Sequence, residues 1–215
     1  MRDSILFDGE GVVIDSERIW DRGQEEFLQR RGIIYDREKI KPLLAGRSLE
    51  DGARILQSTY NFSGDPKTLA QERIAIVKDL FAHEVEFVPG FKEFYSRIQA
   101  AFKTCIATMM PQELLDVVIE RLDLRTLFGS HIYCPGQGLL RGKPAPDLFL
   151  YAAKQLQSSP QQCIVIEDSP NGIEAAKRAD MFCIGIATTF EPVRLNNADV
   201  VIRAFDEIEL VDLAH

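Results

Sequence analysis

Within Phe7-Asp8-Gly9-Glu10-Gly11, two carboxylates stand two residues apart between glycines, directly after the apolar run Ile5-Leu6-Phe7. The same junction of an apolar run and a polar residue recurs further on. Thr108 follows Thr104-Cys105-Ile106-Ala107, Glu167 and Asp168 follow Cys163-Ile164-Val165-Ile166, and Lys143 lies in Arg141-Gly142-Lys143-Pro144-Ala145-Pro146-Asp147. Taken singly, each has an ordinary structural account. Asp8 could open a turn, Thr108 could cap the helix that starts at Pro111, Lys143 could be a surface lysine, and Glu167-Asp168-Ser169 could be an N-cap group. Together they would put several carboxylates, one hydroxyl and one ammonium at one end of one sheet. Carboxylates crowded in a cleft repel and raise one another's pKa unless a cation offsets them. The set therefore predicts a hard metal such as Mg²⁺ acting together with Lys143.

What must position these residues is a series of short β-branched runs bounded by turn residues: Ile5 to Phe7, Thr104 to Ala107, His131 to Tyr133, Cys163 to Ile166, Phe182 to Ile186 and Val200 to Ile202. Runs apolar throughout suit strands buried on both faces. Their alternation with helical patterns predicts an α/β, Rossmann-like parallel sheet core, whose ligand site lies beyond the carboxyl ends of the strands. Between Ser16 and about Glu86 the periodicity is helical and no strand is evident. Glu17 to Arg31 (ending at Gly32), Leu49 to Tyr60 and Pro66 to Phe81 read as helices. The expected organisation is a core of residues 1–15 and 88–215 with an inserted α-helical cap at 16–87. The acidic tail from Asp206 to Asp212 reads as a solvated terminal helix.

The chain has 215 residues, 46% of them hydrophobic, enough for a sizeable core. Its 25 basic and 33 acidic residues give a net charge of -8, which predicts no attraction to nucleic acid or to an anionic membrane. An anionic substrate must then meet a local positive site. Cys105, Cys134, Cys163 and Cys183 are far apart, without a Cys-x-x-Cys pair or clustered histidines, and read as small buried hydrophobes in a reducing compartment. No stretch approaches the roughly 18 apolar residues of a membrane span, and no signal peptide is evident. A cytoplasmic protein is expected.

The order of these motifs resembles the haloacid dehalogenase-like (HAD) hydrolase superfamily, in its phosphatase and phosphomutase branch with a helical cap. The resemblance rests on Phe7 to Glu17, on Thr108 after its strand, on Lys143-Pro144-Ala145-Pro146-Asp147, and on Ile166-Glu167-Asp168-Ser169-Pro170-Asn171-Gly172, in that order. It implies that Asp8 is the nucleophile and becomes a transient aspartyl-phosphate. It further implies that Mg²⁺ is held by the Asp8 carboxylate, the backbone carbonyl of Glu10 and Asp168, with Glu167 as an outer or alternative ligand. Thr108 and Lys143 would contact the transferring phosphoryl group, Gly172 would allow close backbone approach, and closure of a cap hinged at Asp15 and Ser16 would exclude water. In the cap, Gly46, Arg47 and Ser48 resemble a substrate-specificity loop.

Two departures from the family pattern stand out. Residue 10 is commonly aspartate, the acid and base of the reaction. Glutamate has a similar intrinsic pKa, about 4.3 against 3.9. Its extra methylene, however, moves the carboxyl by more than about 1 Å, and such a misplacement can cost on the order of 10²-fold in rate. Gly9 stands where such phosphatases commonly carry a bulkier apolar residue. The second departure is Ala179-Asp180-Met181, where relatives have glycine at a site needing left-handed backbone; a small stability cost is expected. β-Phosphoglucomutases carry an arginine where this chain has Leu49 and a histidine where it has Trp20, and phosphonate-cleaving relatives need a lysine in the loop. The resemblance therefore implies a Mg²⁺-dependent phosphatase acting on a sugar phosphate or similar small metabolite. The alternatives are a phosphate-binding or regulatory protein impaired by Glu10, and a phosphomutase.

Overall fold

The computed structural model describes residues 1–44, 49–135, 141–209 and 213, and the chain divides into two compact units, Met1–Ser16 with Glu86–His215, and Glu17–Val85. The first unit is built on six parallel strands: β1 (Ser4–Phe7), β2 (Lys103–Ala107), β3 (Ile132–Tyr133), β4 (Cys163–Glu167), β5 (Phe182–Ile186) and β6 (Val200–Ile202). Their order across the sheet is β3-β2-β1-β4-β5-β6. β1 is central, pairing Leu6 with Cys105 on one side and with Val165 on the other. After β1 the chain builds outward through β2 and β3, then crosses to lay β4 on the opposite flank of β1. This switch opens a crevice at the carboxyl ends of β1, β2 and β4, where open parallel sheets hold their ligands.

Every residue of β1 is buried, as expected for a strand covered on both faces. Alternation sends Phe7 to one face and Leu6 to the other. The Phe7 ring meets Phe91, 5.5 Å between centroids, and also Phe94, Tyr95 and Phe128, carried by α5 (Phe91–Ile98) and α7 (Leu124–Phe128). On the Leu6 face, α8 (Asp147–Gln155) and α9 (Pro170–Arg178) bury Leu148, Phe149, Ala152, Ile173 and Ala176. The remaining helix, α6 (Gln112–Leu122), follows β2. All four cysteines are buried thiols, as their apolar settings predicted.

The second unit is helical: α1 (Glu17–Gln29), α2 (Arg37–Leu44), α3 (Leu49–Tyr60) and α4 (Pro66–Glu84). α4 packs against both α1 and α3. Its start is set by Asp65, whose side chain accepts a 2.9 Å hydrogen bond from the Thr68 N–H, with Pro66 in the first helical position. Two boundaries and one helix differ from the sequence reading. α1 stops at Gln29, two residues before Arg31, because the last turn unwinds into Gly32 at φ 68°. α4 runs on to Glu84, and α2 lies in a segment whose short amphipathic pattern was not recognised.

Asp180 does adopt the left-handed backbone anticipated for it, at φ 59°, and its carboxylate accepts a 2.6 Å hydrogen bond from Gln161. The acidic tail is not a helix where it is described: Phe205–Glu207 is one 3-10 turn with Phe205 buried in the core, and residues 210–212 lie outside the described set. Among the described residues no helix is long and apolar enough to cross a membrane.

Candidate active site

Asp8 is the first residue past β1, and its N–H still donates to the Ile166 carbonyl of β4 at 3.0 Å, so the strand pairing carries it to the edge of the crevice. The chain then turns back at once. The N–H groups of Val13 and Ile14 both donate to the Gly9 carbonyl, at 3.0 and 2.9 Å, and Gly11 N–H donates to Ile14. Gly11 has φ 72°, and a Cβ there would run into the Asp168 carboxylate; glycine is required on both counts.

Thr108 is fully buried one residue past β2. Its hydroxyl oxygen accepts from the Met110 N–H at 3.1 Å, so it does help start the following segment. It also approaches the loop after Asp8 so closely that a Cβ on Gly9 would lie 2.6 Å from Oγ1. Lys143 is not a surface residue. Its Nζ donates to Asp8 Oδ1 at 2.5 Å and to Glu167 Oε1 at 2.6 Å, with side-chain exposures of 7%, 10% and 0% for Lys143, Asp8 and Glu167. The Phe149 ring lies beneath it, 4.8 Å from Nζ to the centroid.

The second oxygen of Glu167 is saturated, accepting 2.9 Å hydrogen bonds from Asp168 N–H, Ser169 N–H and the Ser169 hydroxyl. Ser169 in turn caps α9 by accepting from Gly172 N–H at 3.1 Å. A Cβ on Gly172 would strike the Glu167 carboxylate, in line with the close approach expected there. Two residues that sequence reasoning missed complete the surroundings. Thr188 donates to the Gly11 carbonyl at 2.5 Å, and the Thr189 hydroxyl and the Asp168 carboxylate both lie against Gly11, where Thr189 favours the ionised form of Asp168. Their signal was weaker: Asp8, Thr108 and Asp168 directly follow their strands, whereas Ala187 stands between β5 and Thr188-Thr189.

The carboxylates of Asp8, Glu167 and Asp168 converge, with ligand atoms within 4.8 Å of one another and all three residues buried. Three carboxylates against one ammonium leave two negative charges uncompensated if all ionise. The consequence is visible in protonation. Burial, with Glu167 and Glu10 adding repulsion, pushes Asp8 up to about 7 although Lys143 pulls it down. Asp168 is pushed well above the carboxylate range by burial and by Glu167 and Asp8. Burial would lower Lys143, but Asp8 and Glu167 more than offset this and hold it protonated. An oxygen-rich, net-negative, buried cluster of this kind fits a hard divalent cation. The Glu10 side chain is half-buried and outside the converging trio, yet near enough for its charge to act on Asp8. Gly46, Arg47 and Ser48 lie outside the described residues.

With this geometry in view, the model of the haloacid dehalogenase-like hydrolase family matches residues 3–180. Among curated proteins, the chain is 28% identical over 204 residues to the validoxylamine A 7'-phosphate phosphatase of Streptomyces hygroscopicus subsp. limoneus, covering 94% of each chain. It is 30% identical over 182 residues to a probable pseudouridine-5'-phosphatase of Drosophila melanogaster, covering 82% of this chain and 78% of that one. Among solved structures, a HAD family hydrolase from Deinococcus radiodurans R1, with bound phosphate and sodium, superposes with a TM-score of 0.80 at 27% identity. It covers 96% of this chain and 93% of its own.

Proposed function

The chain belongs to the haloacid dehalogenase-like hydrolase family, and from that premise we propose that it is a Mg²⁺-dependent phosphatase that hydrolyses a small phosphomonoester through an aspartyl-phosphate on Asp8. The observation that carries the reading is the Asp8–Lys143 pair at the end of β1, with Thr108, Glu167 and Asp168 converging on it. Asp8 and Asp168, with the Glu10 carbonyl, would hold the cation, and Glu167, both oxygens engaged, would orient Lys143 and the Asp168 backbone. Bound there, Mg²⁺ supplies charge neutralisation for the carboxylates and for the transferring phosphoryl group.

In the first half-reaction an Asp8 carboxylate oxygen forms a bond to phosphorus while the ester P–O bond breaks, and the leaving oxygen takes a proton from Glu10. Lys143 and the Thr108 hydroxyl offset charge on the phosphoryl oxygens. In the second half-reaction water gives a proton to Glu10 and attacks phosphorus, releasing inorganic phosphate and the Asp8 carboxylate. The curated relatives, each a phosphatase named for a small phosphorylated molecule, support a metabolite-sized substrate.

The test is phosphate release from p-nitrophenyl phosphate and a panel of sugar phosphates with Mg²⁺, with Asp8→Asn as the blank. Turnover on at least one substrate, absent in the blank and abolished by a chelator, is expected. No release above the blank on any substrate would leave a binding protein on this fold as the better reading.

A further inference from the structure

We infer that Thr188 is a positioning residue for Glu10: its hydroxyl, donated to the Gly11 carbonyl at 2.5 Å, fixes the turn from which the Glu10 carboxyl reaches the leaving group. The inference rests on the phosphatase reading, in which Glu10 is the acid and base. Glu10 meets the substrate there, and Thr188 acts only through it.

The need for such a tether is set by the sequence. Glu10 stands between Gly9 and Gly11, so neither neighbour carries a Cβ. Glycine enters left-handed backbone about as readily as right-handed, and one on each side leaves the residue between them poorly aimed. Glu10 is only half-buried, and its backbone makes a single isolated bridge, to Ile14. The direction of its side chain therefore depends on how the peptide groups around it are held.

On the Gly9 side the hold is close and local. The Gly9 carbonyl accepts from the Val13 and Ile14 N–H groups at 3.0 and 2.9 Å, and Thr108 fills the space above its Cα. On the Gly11 side the N–H donates to the Ile14 carbonyl at 2.8 Å, again within the turn. The Gly11 carbonyl is held from outside it, by a residue 177 positions further along the chain. Gly11 already lies against the Asp168 carboxylate and Thr189 Oγ1, so the turn can relax only away from them. The Thr188 hydrogen bond opposes that movement.

Thr188 is itself anchored independently of the turn it holds. Its N–H donates to the Ile186 carbonyl at 3.0 Å, and the Ala187 N–H donates to the Ile202 carbonyl of β6 at 2.8 Å. Ile186 and Ile202 are both buried, so the place of Thr188 is fixed by the pairing of β5 with β6. The Thr188 residue is exposed, and water could satisfy its hydroxyl. Gly11 is buried, and a structural account would have Thr188 merely satisfy its carbonyl. The two accounts differ in what they predict for different leaving groups.

Steady-state kinetics with Mg²⁺ separate them on two substrates: p-nitrophenyl phosphate, whose leaving group departs without a proton, and the sugar phosphate that the wild type hydrolyses fastest, whose alkoxide needs one. Thr188→Val keeps the shape of this exposed side chain and loses the donor. Its kcat/KM on the sugar phosphate is expected to fall roughly 3- to 10-fold, the worth of one hydrogen bond. Its kcat/KM on p-nitrophenyl phosphate should stay within about twofold of wild type. Thr188→Ser, which keeps the hydroxyl, should restore the rate on the sugar phosphate. A residue that only stabilised the turn would lower both substrates alike, because Asp8 rides on the same loop. Equal loss on both, no loss on either, or failure of serine to restore the rate overturns the inference and leaves the phosphatase reading standing. A wild type active on p-nitrophenyl phosphate alone also overturns it, since Glu10 then serves no alkoxide. A wild type that releases phosphate from no substrate overturns the phosphatase reading and this inference with it.

Discussion

A Cβ placed on Gly9 would lie 2.6 Å from Thr108 Oγ1, so the residue after the candidate nucleophile is small because the hydroxyl after β2 occupies the space a side chain would take. Gly9→Ala must displace the Thr108 side chain or the loop that carries Asp8. Misplacement of a positioned group by about 1 Å costs on the order of 10²-fold. Steady-state kcat/KM on p-nitrophenyl phosphate is expected to fall by roughly that factor, with a circular dichroism spectrum like that of wild type.

Glu10 is expected to matter according to the leaving group. Loss of a general acid and base costs about 10²–10⁴-fold. Glu10→Gln should therefore lose turnover on a sugar phosphate, whose alkoxide must be protonated. The burst of p-nitrophenolate, which leaves without a proton, should persist under rapid mixing. Glu10→Asp, measured on the same substrates, reports whether the longer side chain limits the rate; a faster variant is expected.

Lys143 neutralises two buried carboxylates at once. Lys143→Met leaves Asp8 and Glu167 facing each other without a cation, and removal of one partner from a buried pair costs about 3–5 kcal/mol. Urea denaturation of the metal-free variant should show a loss of that size, and phosphatase turnover should vanish.

The raised carboxyls set the pH dependence of the metal-free protein. Asp8, at about 7 against an ordinary 3.8, and Asp168, also raised, bind protons more tightly folded than unfolded. Their contribution to stability is greatest below the unfolded pKa and is lost as pH rises toward and through the folded values. A divalent cation needs the ionised forms, so the gain in melting temperature on adding Mg²⁺ should grow between about pH 5 and about pH 7.5. In Asp8→Asn that growth should be much reduced.

The Thr189 hydroxyl lies beside Asp168 at Gly11 and favours its ionised form, so Thr189→Val removes that support while keeping the carboxylate itself. Partners of metal-holding groups are worth roughly 10- to 100-fold in affinity. A Mg²⁺ titration followed by thermal melting should show a weakening in that range, with the metal-free melting temperature little altered.

The alternation of apolar runs with helical patterns was enough to read out a parallel sheet with a helical insertion, because strands buried on both faces leave continuous β-branched runs such as Cys163 to Ile166. α2 escaped notice because eight residues carry too little periodicity to stand apart from a loop. Gly32 marked the stop after α1, but the helix unwinds two residues earlier than that glycine suggests, and α4 stays helical to Glu84 before Val85 turns extended, which no breaker residue marks.

For the site, one rule sufficed to nominate Asp8, Thr108, Glu167 and Asp168 from sequence: polar residues directly after buried strands face the crevice of a parallel sheet. Thr188 and Thr189 escape that rule because the apolar Ala187 directly follows β5. What local sequence could not state is distance. Lys143 is 135 residues from Asp8 along the chain and 2.5 Å from it in space. Whether it is a surface lysine or the counter-ion of two buried acids depends on the crossing that lays β4 beside β1. The same holds for Gly9 against Thr108. The types and order of the reactive groups are written in the chain, but their pairing, burial and protonation arise from contacts between segments far apart in it, and those exist only once the sheet and the helices have packed.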